Sequence, residues 1–352
     1  YLGEAGRELL AEFPREHPYR SIVEATASFA SDLGTTLSPF AVARLHGAWT
    51  RGVSVTTSGE AQVVDFLVDR VRAHGGEVLL GGRASHVSTG HGRVTGVRVD
   101  GDDDVTGVQF VVTDMTSSAL LDLAAEYRPS RRVLDARPRI EVESERFVTS
   151  LLVRDAGLPG PLAHESFLLP DAASGRLAVH LQRSAAVSPV PGTTLLVAET
   201  LVGAGHRFDR DELRSVRAAV VATVEAFLPY VERHYLVVDS PHDGLPLWDY
   251  RAGRRALVDR TAARAGGASL EAEAMTPLFR VQDGELRGLG AIAGEPLRFP
   301  LGGAFGAGRS ILPALGQEGE LLAAWGVARA ITRTDRRKEK MRREMWSKVE
   351  LG

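Results

Sequence analysis

The chain has 352 residues, enough for two hydrophobic cores. Its 42 basic and 45 acidic residues nearly cancel, which removes any global electrostatic reason to expect nucleic acid as a partner. Cysteine is missing, so disulfides, thiolate metal sites and cysteine nucleophiles are excluded together.

No apolar run approaches the roughly 18 residues of a membrane-spanning helix and no secretory signal is visible, so a cytoplasmic location is expected. The chain begins in YLGEAGRELLAEF, not at Met, and Leu2, Leu9, Leu10 and Phe13 already have helical spacing. It is expected to be the remainder of something longer. Up to about residue 55 it reads as helical and irregular, with Phe29, Leu33, Phe40, Leu45 and Trp49 as packing residues.

Ser58 can cap a helix whose Val63, Val64, Leu67, Val68 and Val71 form an apolar stripe, and Gly75-Gly76 can end it. A strand is predicted at Glu77–Leu80. In ASHVSTGHGRVTGVRVDG, Gly90 and Gly92 separate the β-prone runs Ala84–Thr89 and Arg93–Val99, which predicts a hairpin. GDDD makes another turn. VTGVQFVVTD then reads as one strand, with Val108, Phe110 and Val112 on a single face, ending at Asp114 before the helical MTSSALLDLAAEY. Helix, strand, hairpin, strand, helix is an α/β unit with a β-meander inserted.

From about 131 to 285 the pattern changes to strands such as RFVTSLLV and TTLLVAETLV, with an amphipathic helix near DELRSVRAAVVATVEAFLPYV. This predicts a second, mixed domain, with surface loops at SPVPG and SPHDGLP. The C-terminal part reads LRGLGAIAGE, then FPLGGAFGAGRS, then a long helix from about Pro313 through Ile331. Glycines just before a helix N-terminus suit an anion or an electron-rich carbonyl, because that end carries unpaired N–H groups and partial positive charge.

Several motifs are decoys. Gly303, Gly308 and Ser310 have P-loop spacing, but Arg309 replaces the lysine that reaches the phosphates. GLGAIAG, from Gly288 to Gly294, has its last glycine one place late for a dinucleotide fingerprint and no β-α-β continuation. The ten histidines are scattered, with His86 and His91 flanking the hairpin turn, and are expected to be solvated loop residues without a metal. DSPHDG holds Ser240, His242 and Asp243 but no nucleophile elbow, and reads as a turn. The basic tail TRTDRRKEKMRREMWSK, with Lys338, Met341, Met345, Trp346 and Val349 on one side, is either a solvated helix extension or a peripheral contact to a membrane or subunit.

Taken together, GGEVLLGGRASHVSTGHGRVTGVRV, VQFVVTD and GLGAIAGEPLRFPLGGAFGAGRSILPALGQEGELLAAWGVARAI resemble the phytoene desaturase and amine oxidase group of FAD-dependent oxidoreductases. The resemblance implies an α/β fold: a partial FAD-binding domain of Rossmann-like, glutathione-reductase type, interleaved with a mixed α+β substrate domain. The corresponding boundaries are 1–57 for the first part of the substrate or cap domain, 58–130 for the middle FAD-binding segment and 131–285 for the substrate domain. The C-terminal FAD-binding segment is 286–331 and the basic tail 332–352.

Carried over by position, the resemblance implies that Val87 meets the adenine side of FAD and that Gly294 and Glu295 end a strand near the ribityl or pyrophosphate. Gly302, Gly303, Gly306 and Gly308 would let backbone approach the cofactor, and Pro313, Ala314 and Leu315 would lie at the helix start beneath the flavin pyrimidine. The family's N-terminal G-x-G-x-x-G unit has no counterpart in these residues. Either a separate polypeptide supplies that unit, or it was removed or left out of this chain, or the cofactor function has been lost. The expectation is the C-terminal portion of a flavin oxidoreductase acting on an apolar substrate by hydride transfer, completed by a partner chain bearing that unit. A non-catalytic scaffold or binding subunit of degenerate flavoprotein fold is the alternative. No catalytic residue is nominated.

Overall fold

The computed structural model describes residues 10–14, 16–34, 37–52, 60–101, 104–135, 138–184, 188, 190–204, 210–260, 272–281 and 292–334. Residues 1–9, where the sequence predicts helix, Ser58, Gly288 and the basic tail from residue 335 on lie outside these.

Helices α1 (Pro18–Ala30) and α2 (Pro39–Thr50) come first. Ser38 caps α2 by accepting from the Ala41 N–H at 3.2 Å, and Pro39 stands at the one end of a helix where a missing N–H is harmless. α3 (Glu60–Ala73) stops as the sequence predicts: the Gly76 N–H donates to the Val71 carbonyl at 2.9 Å, with Gly75 in left-handed backbone. Its apolar stripe is not covered, since Val63, Val64, Leu67 and Val71 are between 46% and 56% exposed.

The strand predicted at Glu77–Leu80 does not form. An extended segment becomes a strand only where a neighbour takes its N–H and C=O groups. Here no ladder partner exists among the described residues, and Leu79 and Leu80 are 75% and 89% exposed.

The predicted hairpin is present as β1 (Ala84–Gly90) and β2 (Arg93–Val99), antiparallel, with His91 and Gly92 both at positive φ in the turn. VTGVQFVVTD, expected to be one strand, is two. β3 (Thr106–Gly107) adds to β2, and β4 (Val111–Thr113) pairs elsewhere. The chain changes partner between them: the Val108 N–H donates to Thr95 and the Val111 N–H to Gly303. Thr116 then caps α4 (Ser117–Leu123), and α5 (Arg131–Asp135) follows.

The remaining elements are β5 (Ile140–Arg154), β6 (Glu165–Leu168), β7 (Val179–Arg183), β8 (Thr193–Gly203), α6 (Arg210–Phe227), β9 (Tyr235–Asp239), β10 (Leu247–Asp249), β11 (Ala256–Val258), β12 (Thr276–Val281), β13 (Ala304–Gly306) and α7 (Gly316–Thr334). The architecture is mixed α and β. The chain forms two compact units, Tyr1–Phe29 with Gly34–Val78 and Val142–Leu278, and Ala30–Leu33 with Leu79–Glu141 and Phe279–Gly352.

In the first unit the strands run in the order β11-β10-β9-β5-β8-β7-β6, and every paired neighbour is antiparallel. Strict alternation along β8 buries Thr194, Leu196, Ala198, Thr200 and Val202 on one face. That face forms a core with Leu213, Val220, Val221 and Val224 of α6. SPHDGLP is not the surface loop that its composition predicts: Ser240, Asp243 and Leu245 are buried. The cause is electrostatic. The Arg217 guanidinium is fully buried on α6 and needs a counter-ion; its Nε donates to Asp243 Oδ2 at 2.6 Å and Nη1 to the Pro246 carbonyl at 2.8 Å, which draws the loop inward.

In the second unit β1, β2 and β3 form the meander, and β4 and β13 pair in parallel. Val87, Val94, Leu120, Leu301, Ala304, Ile311 and Ala323 make its core.

Candidate functional site

The second unit contains two adjacent strand-turn-helix steps, β4 into α4 and β13 into α7. Because β4 and β13 are parallel, both turns lie at the carboxyl ends of their strands, the position at which open α/β sheets bind ligands. The sequence places the strand before the last helix at the run ending in Gly294 and Glu295. Part of that run lies outside the described residues, and among the described residues the strand that pairs with β4 is Ala304–Gly306. Gly303, at φ +81°, turns the chain so that its carbonyl accepts from the Val111 N–H at 2.9 Å and starts the ladder.

The structure gathers most of the nominated residues around this pair of turns. A side chain added at Gly302 would meet Arg93 at 2.8 Å, at Gly303 Val94 at 2.9 Å, and at Gly306 Ile311 and Phe299 at 2.6 Å. At Gly308 it would meet the Asp114 backbone, with the Cα 2.6 Å away, so the turns just after β13 and β4 close up where a Cβ would separate them. Gly294 is pressed in the same way against the Ser310 carbonyl, and its N–H donates to Ile311 at 2.9 Å. At each of these glycines protein atoms, backbone or side chain, fill the space a Cβ would take, and none of them presents an open cradle on its own.

Glu295 is 6% exposed and both its oxygens are engaged. The Ser117 N–H donates to them at 3.0 and 3.2 Å, the Ser117 hydroxyl donates to Oε1, and the Ser310 hydroxyl to Oε2 at 3.0 Å. The carboxylate thus joins the β4–α4 turn to the β13–α7 turn, as an acceptor held by three buried donors. Ser117 and Ser310 were not nominated from sequence. Ser117 is 178 residues from Glu295, and no local pattern signals the pairing.

Pro313, Ala314 and Leu315 form a buried 3-10 turn that leads into α7. The Pro313 carbonyl accepts from the Asp32 N–H at 2.8 Å and from the Ser31 hydroxyl at 3.2 Å. Asp32, missed by the sequence reading, is a buried carboxyl beside the start of α7, with one Arg309 nitrogen 3.9 Å away. Arg309 also donates from Nε to Glu320 at 2.9 Å, which ties the turn to the first part of the helix. Val87 is 1% exposed in β1 and its side chain packs in the core. The meander itself reaches the glycine-rich bend: the Val94 N–H donates to the Gly302 carbonyl at 2.8 Å, and the Gly302 N–H to Gly92 at 2.9 Å.

The first unit holds polar groups that the sequence reading also missed. His180 is 5% exposed rather than solvated, stacked on Phe167 at 4.6 Å, with Phe29 and Trp49 nearby and its Nε2 3.1 Å from Glu165. Arg146 donates to Glu199 at 2.5 Å and to the Phe29 carbonyl at 2.7 Å. Elsewhere in the unit, burial pushes up the Tyr235 hydroxyl and the Glu225 carboxyl, with the negative charge of Glu232 adding to both. Among the described residues no group of three or more histidines, aspartates or glutamates could hold a metal ion, and no helix is long and apolar enough to cross a membrane.

No family model and no curated protein matches the chain. Solved structures do. An oxidoreductase from Methanosarcina mazei aligns over 92% of this chain and 67% of its own, at TM-score 0.58 and 13% identity. The PF1083 protein from Pyrococcus furiosus aligns over 67% and 57%, at TM-score 0.48 and 16% identity, and a triple mutant of the flavin-dependent brominase Bmp2 over 82% and 60%, at TM-score 0.37 and 11% identity. The chain thus spans about two thirds of the first of these proteins and less of the others, and it shares the fold of the Methanosarcina mazei oxidoreductase.

Proposed function

We propose that the chain is the larger part of a flavin-dependent oxidoreductase, with FAD seated at the carboxyl ends of β4 and β13 and completed by a second chain that carries the dinucleotide-binding segment. The observation that carries the reading is the parallel β4–β13 pair, whose two strand-turn-helix steps are locked by Glu295 and flanked by the β1–β2–β3 meander. The shared fold with an oxidoreductase supports it.

The fit of the cofactor divides the nominated residues. Gly294, Gly302, Gly303, Gly306 and Gly308 shape the turns, because protein atoms fill the space a Cβ would take. The residues that would hold FAD are those at the end of β13 and the start of α7, around Arg309 and Pro313–Leu315, together with the backbone of β1 near Val87. The start of α7 carries the partial positive charge that favours electron density on a flavin ring. When bound, the flavin supplies hydride transfer to or from an apolar substrate. The chain's own part is to orient cofactor and substrate, to exclude water, and to keep the two turns in register through Glu295.

A second reading, a non-catalytic scaffold subunit of the same fold, is favoured by the closure of the glycine positions and the full engagement of Glu295. Mass spectrometry of the native assembly separates the two. FAD together with a second chain bearing G-x-G-x-x-G supports the enzyme, and an intact assembly free of flavin supports the scaffold.

A further inference from the structure

Residues 107–109 are where the chain leaves the meander and joins the parallel pair. The Val108 N–H still donates to the Thr95 carbonyl at 3.0 Å, whereas the Val111 N–H already donates to Gly303 at 2.9 Å. Between these two bonds the ladder opens. At the opening lies a cavity of about 500 Å³ lined by Arg93, Val94, Thr95, Gly107, Val108 and Gln109, a volume in the range of small-molecule sites.

The cavity is at the end of the parallel pair away from the two turns. Gln109, Gly302 and Gly303 precede β4 and β13, whereas Asp114 and Gly308 follow them. The chain from Gln109 to Asp114, at about 3.3 Å for each residue of extended backbone, puts the two ends roughly 15 Å apart. All the lining residues belong to the second unit. The cavity is therefore separate from the proposed cofactor site.

One cation sets its chemistry. The Arg93 side chain runs along the glycine-rich bend: a Cβ at Gly302 would meet its Cγ at 2.8 Å, and one at Gly303 would lie 3.9 Å from its Nη2. The absence of both side chains leaves room for the arm and seats the guanidinium beside the cavity. Arg93 is exposed and makes no ion pair or side-chain hydrogen bond among the described residues. No carboxylate lines the cavity. Around the cation stand two neutral hydrogen-bonding side chains, Thr95 and Gln109, both exposed, and the half-buried Val108 supplies an apolar wall.

A guanidinium presents paired N–H donors that match the two oxygens of a carboxylate. Its single charge balances a carboxylate, while a phosphate dianion would keep part of its charge uncompensated among donors that are otherwise neutral. We propose that this cavity binds a small carboxylic acid, with the carboxylate on Arg93, hydrogen bonds from Thr95 and Gln109, and the ligand's apolar portion against Val108. It is a second ligand site of the chain, at the amino ends of β4 and β13.

The test is a fluorine NMR titration of the native assembly with para-fluorobenzoate as the probe. Saturable binding to the parent is expected, weakened at least tenfold in Arg93→Gln and by a smaller factor in Arg93→Lys, which keeps the charge and loses the fork. Both changes leave the backbone bonds of Val94 and Gly302 in place. Thr95→Glu is an independent variant: a carboxylate built beside Arg93 should occupy the guanidinium and also lower affinity at least tenfold. No saturable binding, or affinity within twofold of the parent in Arg93→Gln or Thr95→Glu, overturns the proposal. So does equal binding of the neutral para-fluorobenzamide. Inorganic phosphate that displaces the probe as readily as benzoate does overturns the choice of carboxylate. The visible spectrum keeps this site apart from the cofactor site. The variants should retain any flavin band of the parent, and loss of that band together with probe binding would overturn a separate site.

Discussion

Replacing Glu295 by alanine tests the lock between the two turns. The carboxylate accepts from the Ser117 N–H, the Ser117 hydroxyl and the Ser310 hydroxyl, all in buried surroundings. Alanine leaves three donors without an acceptor. The hydroxyls can rotate toward other acceptors but the Ser117 N–H is fixed, and at about 1–3 kcal/mol for each buried unsatisfied group the expected loss is about 3 kcal/mol or more. Gln keeps one acceptor oxygen and should lose about half of that. The assay is amide hydrogen exchange resolved to the segments containing β4 and β13, which isolates the second unit where whole-chain unfolding does not. An opening free energy lower by about 3 kcal/mol corresponds to exchange roughly 100-fold faster in alanine. Exchange within threefold of the parent in both segments would refute the lock.

Three further outcomes follow from the packing. Gly308→Ala places a methyl 2.6 Å from the Asp114 Cα and should cost about 3 kcal/mol by urea unfolding, whereas Gly47→Ala on α2, with nothing within 4 Å, should gain up to about 1 kcal/mol. Arg217→Met leaves the Asp243 carboxylate buried with weaker support from Arg260 at 3.4 Å, a loss of about 3–5 kcal/mol, and the double variant Arg217→Met with Asp243→Leu should recover more than half of it. Burial and then Glu232 raise the pKa of Glu225, so the folded state binds more protons than the unfolded state, and this residue's contribution to stability is greatest below the ordinary carboxylate range and falls as pH rises through its folded pKa. Glu225→Gln should therefore be the more stable protein at pH 7, with the gain vanishing in acid, as measured by urea midpoints across pH.

Local chemistry made much of the fold legible. His91 and Gly92 can both take positive φ, and the hairpin is where the sequence puts it; the strand-like runs RFVTSLLV and TTLLVAETLV likewise fall in β5 and β8. The glycine stop of α3 is equally plain. Non-local partners are what stayed hidden. Leu79 and Leu80 have strand propensity but no ladder partner among the described residues, so no strand forms there, and VTGVQFVVTD divides because its two halves find different partners. SPHDGLP has surface composition, yet a buried arginine on a distant helix draws it inward. In the candidate site the glycine cluster was legible, whereas its use in closing backbones and the Glu295–Ser117–Ser310 junction depend on contacts across the chain.

The visible absorption spectrum of the purified native assembly, recorded before and after anaerobic reduction, tests the central claim most directly. The account predicts a flavin band that bleaches on reduction and remains with the complex of this chain and its partner. An intact complex with no such band would contradict it.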